Sequence, residues 1–474
     1  MLIILIIRKM RIILTVNLFL SKMTSLDYLL STYPNGLDGQ GWNIKVLSSN
    51  PSLPWYKVRE NPRGLYSPLG NLQPWDTSNL SSNPSIDWKL IADYPDGLNS
   101  LNDASNDSGN NANFEIQPWN VNRLSANLSI DCNFIRQYPE GLDGEPWNMS
   151  YLSANRSLDF SLVTDYPEGI NGYRWDMTYL SANPSLPWNL VLQYPDGLGS
   201  QSDKRPWNTY SFSYNQNLDF SIVTKYPNGF DGQAWDMINL SINPSLTWQF
   251  VLQNMSGIAG NRWNIYWLCR NPNIDWQYVE DHPEGFADRA WNVIGLSNNP
   301  SLPYQLLDKY SQGINSRRWD VKALSSNHSP AISAIVRRYP QGLCSQSWSM
   351  ELLSSNPGLD FNLVRENPEG LDGNPWSMYG LSSNPSLDWT LVSEFPDGLS
   401  ERSGPWDLPS LSNNPSLDFN LVRKYPNGFD QQMWDVSALS YNQQLDWRFV
   451  VDNPQGLNGQ QWDSSGLSSK TYDK

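Results

Sequence analysis

The residue types that most often carry catalysis are scarce and scattered in this sequence. There are two histidines, His282 and His328, and they lie far apart. The 47 acidic residues are spread along the chain and form no paired set of the kind that a general acid and base need. No nucleophile motif, phosphate-binding loop or metal-ligand spacing accompanies them. The sequence therefore argues against an enzyme and predicts no catalytic residue, no cofactor and no metal site.

The three cysteines, Cys132, Cys269 and Cys344, are also separated by long stretches of chain. Their spacing fits neither a disulfide framework nor a zinc site. We interpret them as small buried residues, which favours a reducing compartment.

Tryptophan invites a functional interpretation, because indole rings stack on ligands. The chain has 23 tryptophans, and 15 of them recur at intervals of 28 residues or somewhat more. These anchors are Trp42, Trp75, Trp119, Trp147, Trp175, Trp207, Trp235, Trp263, Trp291, Trp319, Trp348, Trp376, Trp406, Trp434 and Trp462. Seven others share a second position of the same period. We predict that both sets are core, which leaves Trp267 as the one tryptophan predicted to contact a partner.

The elements that would position these residues follow from the repeat itself. An Asn, Asp or Ser after each anchor is typical of a helix N-cap, and a leucine follows four residues later, as in Asn43 and Leu47. An Asn-Pro pair such as Asn50-Pro51 predicts the end of this short helix and the immediate start of a second helix of about ten residues. Tyr-Pro-x-Gly-Leu then predicts a turn. We also expect the recurrent asparagines to form an amide ladder between repeats.

The predicted fold class is all-α, a curved α-solenoid of about fourteen to fifteen 28-residue two-helix repeats. The repeats form one solenoid over residues 23–468, with a disordered loop at 99–118 and a C-terminal tail at 469–474. The apolar segment 1–22 has three interpretations: a mis-assigned start with translation beginning at Met23, a signal peptide, or an anchor. Partner contacts are expected at variable positions of the second helix: Tyr56, Lys89, Asn189, Gln249 and Arg448.

The repeat at Trp319 is irregular and gathers positive charge in a chain of formal net charge -15. Its basic residues are Arg317, Arg318, Lys322, Arg337 and Arg338. One interpretation is a local bend with solvated charge, and the other is a docking site for an acidic partner. The acidity of the whole chain argues against nucleic acid, and against a membrane unless residues 1–22 are retained as an anchor.

The consensus Trp-Asp/Asn-x-x-x-Leu-Ser-x-Asn-Pro-x-Leu-x-Trp-x-x-Val-x-x-x-Pro resembles repeats in uncharacterised proteins of giant, amoeba-infecting DNA viruses, over about residues 25–468. A weaker similarity is to leucine-rich-variant helical repeats. This chain departs from the viral repeats in its Pro-x-Gly-Leu turn and longer loop. The resemblance implies a helical solenoid in the host cytoplasm or the virion, with secretion if residues 1–22 are a signal peptide.

The expected function is a non-enzymatic repeat scaffold that mediates protein–protein interaction. The alternative is a structural or minor virion component of a large DNA virus, for which length and stacking matter more than a binding site.

Overall fold

The computed structural model describes residues 25–36, 40–98, 117–200, 203–329 and 331–469. Expectations for residues 1–22, for most of the loop 99–118 and for the tail from residue 470 lie outside these ranges. The described chain is mostly helical, as predicted, and within each part of the chain the first helices of neighbouring repeats contact one another in chain order. The fold is a helical repeat solenoid, and its helices alternate between a first and a second helix in each repeat.

Contacts divide the chain into two compact units, and each is built from the same repeat. The terminal unit comprises the described residues within Met1–Trp147, Leu417–Gly428 and Met433–Lys474. The central unit comprises those within Asn148–Ser416 and Phe429–Gln432.

The helices of the terminal unit are α1 (Ser25–Thr32), α2 (Ile44–Ser49), α3 (Trp55–Glu60), α4 (Thr77–Ser81), α5 (Trp88–Asp93), α6 (Val121–Ala126), α7 (Cys132–Gln137), α27 (Phe419–Lys424), α28 (Val436–Tyr441), α29 (Trp447–Asp452) and α30 (Ser464–Ser469). A two-stranded antiparallel hairpin, β1 (Leu65–Tyr66) with β2 (Leu72–Gln73), occupies one lengthened loop.

The helices of the central unit are α8 (Met149–Ala154), α9 (Ser161–Asp165), α10 (Met177–Ala182), α11 (Trp188–Gln193), α12 (Thr209–Tyr214), α13 (Phe220–Lys225), α14 (Met237–Ile242), α15 (Trp248–Gln253), α16 (Ile265–Arg270), α17 (Trp276–Asp281), α18 (Val293–Ser297), α19 (Tyr304–Lys309), α20 (Val321–Ser325), α21 (Ala331–Arg338), α22 (Met350–Ser354), α23 (Phe361–Glu366), α24 (Met378–Ser383), α25 (Trp389–Glu394) and α26 (Leu408–Asn413). Even-numbered helices are the first of a repeat, and odd-numbered helices are the second.

The first helix begins where the sequence predicts. In α10 the carboxylate of Asp176 accepts hydrogen bonds from the backbone N–H groups of Thr178 (3.0 Å) and Tyr179 (3.2 Å). This satisfies two of the amides that a helix start leaves without partners. Leu180 and Ser181 are fully buried. The Asp176 side chain therefore caps the start of this helix, and burial of Leu180 packs the helix against the core.

The second helix is shorter than predicted, and it does not begin at the proline. In the repeat at Trp175, Oδ1 of Asn183 accepts from the N–H of Ser185 (2.9 Å), and its carbonyl accepts from Leu186 (3.1 Å). These bonds hold Asn-Pro-Ser-Leu as a turn, so α11 starts only at Trp188. An acidic residue is the N-cap of many of these second helices, as Asp388 is in α25.

The anchor tryptophans are core residues, as predicted, and each closes its own loop. Trp175 is 2% exposed, and its indole N–H donates to the carbonyl of Tyr166 at 2.7 Å. Gly169 sits in that turn at φ +109°, where a Cβ would lie 2.0 Å from the carbonyl oxygen of Tyr173. The same bond joins Trp119 to Tyr94 across a much longer loop. The loops can therefore vary in length without moving the anchor.

The second-helix tryptophans fulfil the core prediction only in part. Trp248 is buried, whereas the others are half-exposed. Trp188, for example, lies against the surface and donates its indole N–H to the carbonyl of Asn217 in the next repeat, at 2.7 Å. These rings join neighbouring repeats instead of filling the centre of one.

The predicted amide ladder is present and couples successive repeats. The side-chain amide of Asn183 donates to the carbonyls of Ser153 and Asn155, both at 2.9 Å. Asn215 makes the same two bonds to Ser181 and Asn183. Each asparagine thus satisfies buried carbonyls of the repeat before it, which otherwise cost free energy.

In the terminal unit the ladder also joins repeats that are far apart in sequence. The amide of Asn50 donates to the carbonyl of Ser468 at 2.7 Å, and the backbone N–H of Asn43 donates to the Ser468 hydroxyl at 3.3 Å. Helix α2 packs on α30, and α1 packs on α29. The repeat at Trp42 is therefore stacked on the repeat at Trp462 as if the two were consecutive.

Candidate partner-binding surface

Each first helix has an outward face, set by the inward residues just described. In α8, Met149, Leu152 and Ser153 are buried. The second, third and sixth residues after the N-cap therefore point away from the core, because they lie on the opposite side of a 3.6-residue turn. Ser150, Tyr151 and Ala154 occupy these positions in α8.

Six consecutive first helices of the central unit carry large apolar side chains on this face. We call them the aromatic row: Tyr151, Tyr179, Tyr210, Ile238, Tyr266, Trp267 and Ile294. The isoleucines and the first three tyrosines are 48–57% exposed. Helices α8, α10, α12, α14, α16 and α18 pack on one another in that order, so the row is continuous. Contiguous exposed apolar surface of this kind marks interaction sites.

Trp267 lies in this row, where the sequence analysis expected a contact residue. It is half-buried, because the guanidinium of Arg270 lies 5.2 Å from its ring centroid and 5.8 Å from that of Tyr266. The two rings meet edge-on at 5.0 Å, and Arg270 also donates to the Tyr266 hydroxyl at 3.3 Å. Arg270 thus holds both rings in place through cation–π contacts.

The aromatic row has little charge and several uncommitted donors. No aspartate or glutamate stands at the outward positions of its six helices, and Arg270 is the one cation among them. Within the described chain, the hydroxyls of Tyr151, Tyr179 and Tyr210 and the indole N–H of Trp267 have no hydrogen-bond partner. The row therefore offers aromatic faces with outward-facing donors.

The basic residues of the Trp319 repeat are mostly engaged with neighbouring repeats. Arg337 forms ion pairs with Asp360 and Glu366, both at 3.0 Å, and Arg338 pairs with Asp308 at 2.7 Å. Hydrogen bonds to Glu366 and Asp360 raise the pKa of Arg337.

The other basic residues of this repeat differ in their contacts. The Arg317 guanidinium donates to the carbonyl of Trp291 at 3.4 Å. Arg318 and Lys322 are exposed and have no ion pair within the described chain. The acidic-partner interpretation stays a prediction, but two of its five cations already have carboxylate partners.

His282 and the three cysteines take part in the packing of their repeats. The His282 ring stacks on Tyr278 with centroids 4.1 Å apart, and its carbonyl accepts from the Trp291 indole. The three cysteines are buried thiols, and burial raises the pKa of Cys269 to about 12. Among the described residues, no group of His, Cys, Asp and Glu could hold a metal ion.

One surface cleft of about 250 Å³ lies in the central unit, between the turns of two repeats. Its charged lining includes Glu168 and Arg205, together with Arg174, which pairs with Asp203 at 2.6 Å. Arg205 donates to the carbonyl of Trp175 at 3.3 Å. Both arginines of the cleft therefore already bond to other residues of the chain.

No helix in the described ranges has the length and apolarity needed to cross a bilayer.

Sequence reasoning missed all of the aromatic row except Trp267. The sequence predicted partner contacts in the irregular repeat at Trp319 and at five variable positions of the second helix. Those five side chains are exposed, but they share no residue type. A usable signal was present: large apolar residues two or three positions after the N-cap in six successive repeats, although neither position belongs to the consensus.

No protein-family model, curated protein or solved structure matches this chain. The function proposed below therefore rests on the geometry of the repeats alone.

Proposed function

We propose that this protein is a non-enzymatic repeat scaffold that binds a protein partner through the aromatic row. The observation that carries the proposal is the run of large apolar side chains on the outward faces of six packed helices, five of which carry a side chain that is 48–57% exposed. Tyr, Trp and Arg are the residues most enriched at the energetic centres of protein interfaces, and all three occur here around Trp267.

The scaffold is suited to such a role because its spacing is held rigidly. The backbone N–H of Asp176 donates a hydrogen bond to the buried hydroxyl of Ser153 in the repeat before it, at 3.0 Å. The asparagine ladder adds two bonds per repeat. A partner therefore meets side chains that are already in register, which lowers the ordering cost of binding.

A paired set of variants tests the proposal. Tyr179→Ser with Tyr210→Ser removes two rings of the row, and Tyr379→Ser with Tyr441→Ser removes two rings from outward faces elsewhere. Those control tyrosines are 69% and 46% exposed. A partner captured by the native chain and then purified should bind the row variant at least tenfold more weakly by calorimetry, as expected for lost hot-spot residues.

The control variant should bind as the native chain does, and both variants should keep the native circular-dichroism spectrum. Equal binding by the row variant and the native chain would overturn the proposal. Recovery of the chain only within purified particles, with no soluble partner, would favour the structural virion role instead.

A further inference from the structure

The geometry points to the kind of segment that the aromatic row receives: a proline-rich segment in the polyproline II conformation. This inference rests on the proposed function and names its partner class. It is drawn from three properties of the row, namely its spacing, its free donors and its lack of acidic side chains.

The usual distance between packed helices is close to one turn of polyproline II. Packed helices lie about 8–10 Å apart, so the apolar side chains of the row on successive first helices should repeat at about that distance. Polyproline II rises about 3.1 Å per residue with three residues per turn, or about 9.3 Å per turn. Every third residue of such a segment would thus meet one repeat. A β-strand presents one face about every 6.6 Å and would fall out of register within two or three repeats.

The free donors of the row favour a backbone whose carbonyls are uncommitted. The hydroxyls of Tyr151, Tyr179 and Tyr210 and the indole N–H of Trp267 have no acceptor within the described chain. Polyproline II has no internal hydrogen bonds, and proline contributes a carbonyl acceptor but no N–H donor. An α-helix uses its carbonyls internally, so it could not satisfy these donors along its length.

The charge of the row excludes strongly charged partner segments. Without an outward aspartate or glutamate on these six helices, a basic peptide would find no counter-charge within the row. An acidic peptide would find a single outward cation there, Arg270, which is engaged with two rings. A neutral segment with flat pyrrolidine rings fits aromatic faces without either cost.

The inference is tested with the full chain and a fluorescein-labelled oligoproline of twelve residues, which spans about 37 Å, or four repeats. Fluorescence anisotropy should show saturable binding that weakens at least tenfold in the Tyr179→Ser/Tyr210→Ser variant. The Tyr379→Ser/Tyr441→Ser variant should bind as the native chain does. Lengthening the peptide by three residues should strengthen binding stepwise, because each added turn reaches another repeat.

Two comparison peptides of equal length complete the experiment: a flexible Gly-Ser peptide and an alanine-rich helical peptide. Neither should bind measurably. If either binds as well as oligoproline, or if oligoproline binding is unaffected by the row variant, the inference is overturned. If oligoproline fails while a purified partner still depends on Tyr179 and Tyr210, the inference falls and the proposed function stands. If neither oligoproline nor a purified protein partner depends on the row, both the inference and the proposed function are overturned.

Discussion

The first helices of the terminal unit and of the central unit share their inward residues but differ in their outward ones. In the terminal unit the outward positions are mainly polar, as in Ser78 and Asn79 of α4 and Asn122 and Arg123 of α6. Arg123 donates to the side chain of Asn79 at 2.7 Å, so these side chains bond to one another across repeats. In the central unit the same positions carry the aromatic row.

The difference shows which part of the repeat is free to change. Leu80 in α4 and Leu180 in α10 are both fully buried, and so are the serines that follow them. Packing therefore demands the same inward set in both units. Packing does not restrict the outward residues in this way, and in six repeats of the central unit they include large apolar side chains. That contrast gives three predictions about stability.

The largest effect should come from the anchors, and it should be alike in the two units. Trp207→Ala in the central unit and Trp75→Ala in the terminal unit each remove a buried ring whose N–H donates to a backbone carbonyl at 2.7 Å. We expect each to lower the free energy of unfolding by about 3–5 kcal/mol in urea denaturation followed by circular dichroism. Trp267→Ala, on the outward face, should cost about 1 kcal/mol or less. A large loss in only one unit would contradict a shared core.

A smaller loss should follow replacement of the ladder asparagines. Asn183→Ala would remove the side-chain donor to the buried carbonyl of Ser153 and one of the two donors to the carbonyl of Asn155, which also accepts from the N–H of Leu158. Asn50→Ala would do the same to Ser468, although those residues are 418 positions apart. We expect each to cost about 2–3 kcal/mol in the same urea experiment. An unaffected Asn50→Ala protein would show that the contact between α2 and α30 adds no stability.

The smallest effect should be an acid-dependent one in the central unit. Burial tends to raise the pKa of Asp388, but hydrogen bonds from Thr390 and Arg365 outweigh it, and the pKa of this carboxyl lies below its usual value. The pKa of Asp360 is also lowered, by the Asn362 backbone and Arg337, against the effect of burial.

Because these folded-state pKa values are depressed, the stability they contribute is present above about pH 4 and is lost as pH falls through them. The urea midpoint should therefore decline below about pH 4. Asp360→Asn with Asp388→Asn should flatten that decline, since asparagine still caps a helix but does not titrate. An unchanged slope in this variant would assign the acid sensitivity to other carboxylates.

Much of the fold could be predicted because the caps, turns and buried positions of each repeat depend on residues that are close together in sequence. The residue after each anchor is a cap by type, and Asn183 could be assigned to a ladder because it recurs with the period. The predicted length of the second helix was wrong, because a proline after Asn183 is compatible with either a helix start or a turn. The choice was made by the Asn183 side chain, whose Oδ1 binds Ser185.

By itself, the sequence determined the period, the caps, the buried leucines and the anchors, because each depends on residues close together in one repeat. Only the tertiary structure decided that Tyr151, Tyr179 and Tyr210 lie on helices that pack on one another, that Arg270 lies over Trp267, and that the repeat at Trp42 stacks on the repeat at Trp462. These relations depend on how one repeat packs on another. The spacing of residues along the chain does not specify that packing, because burial constrains which residues face inward but not which outward residues become neighbours.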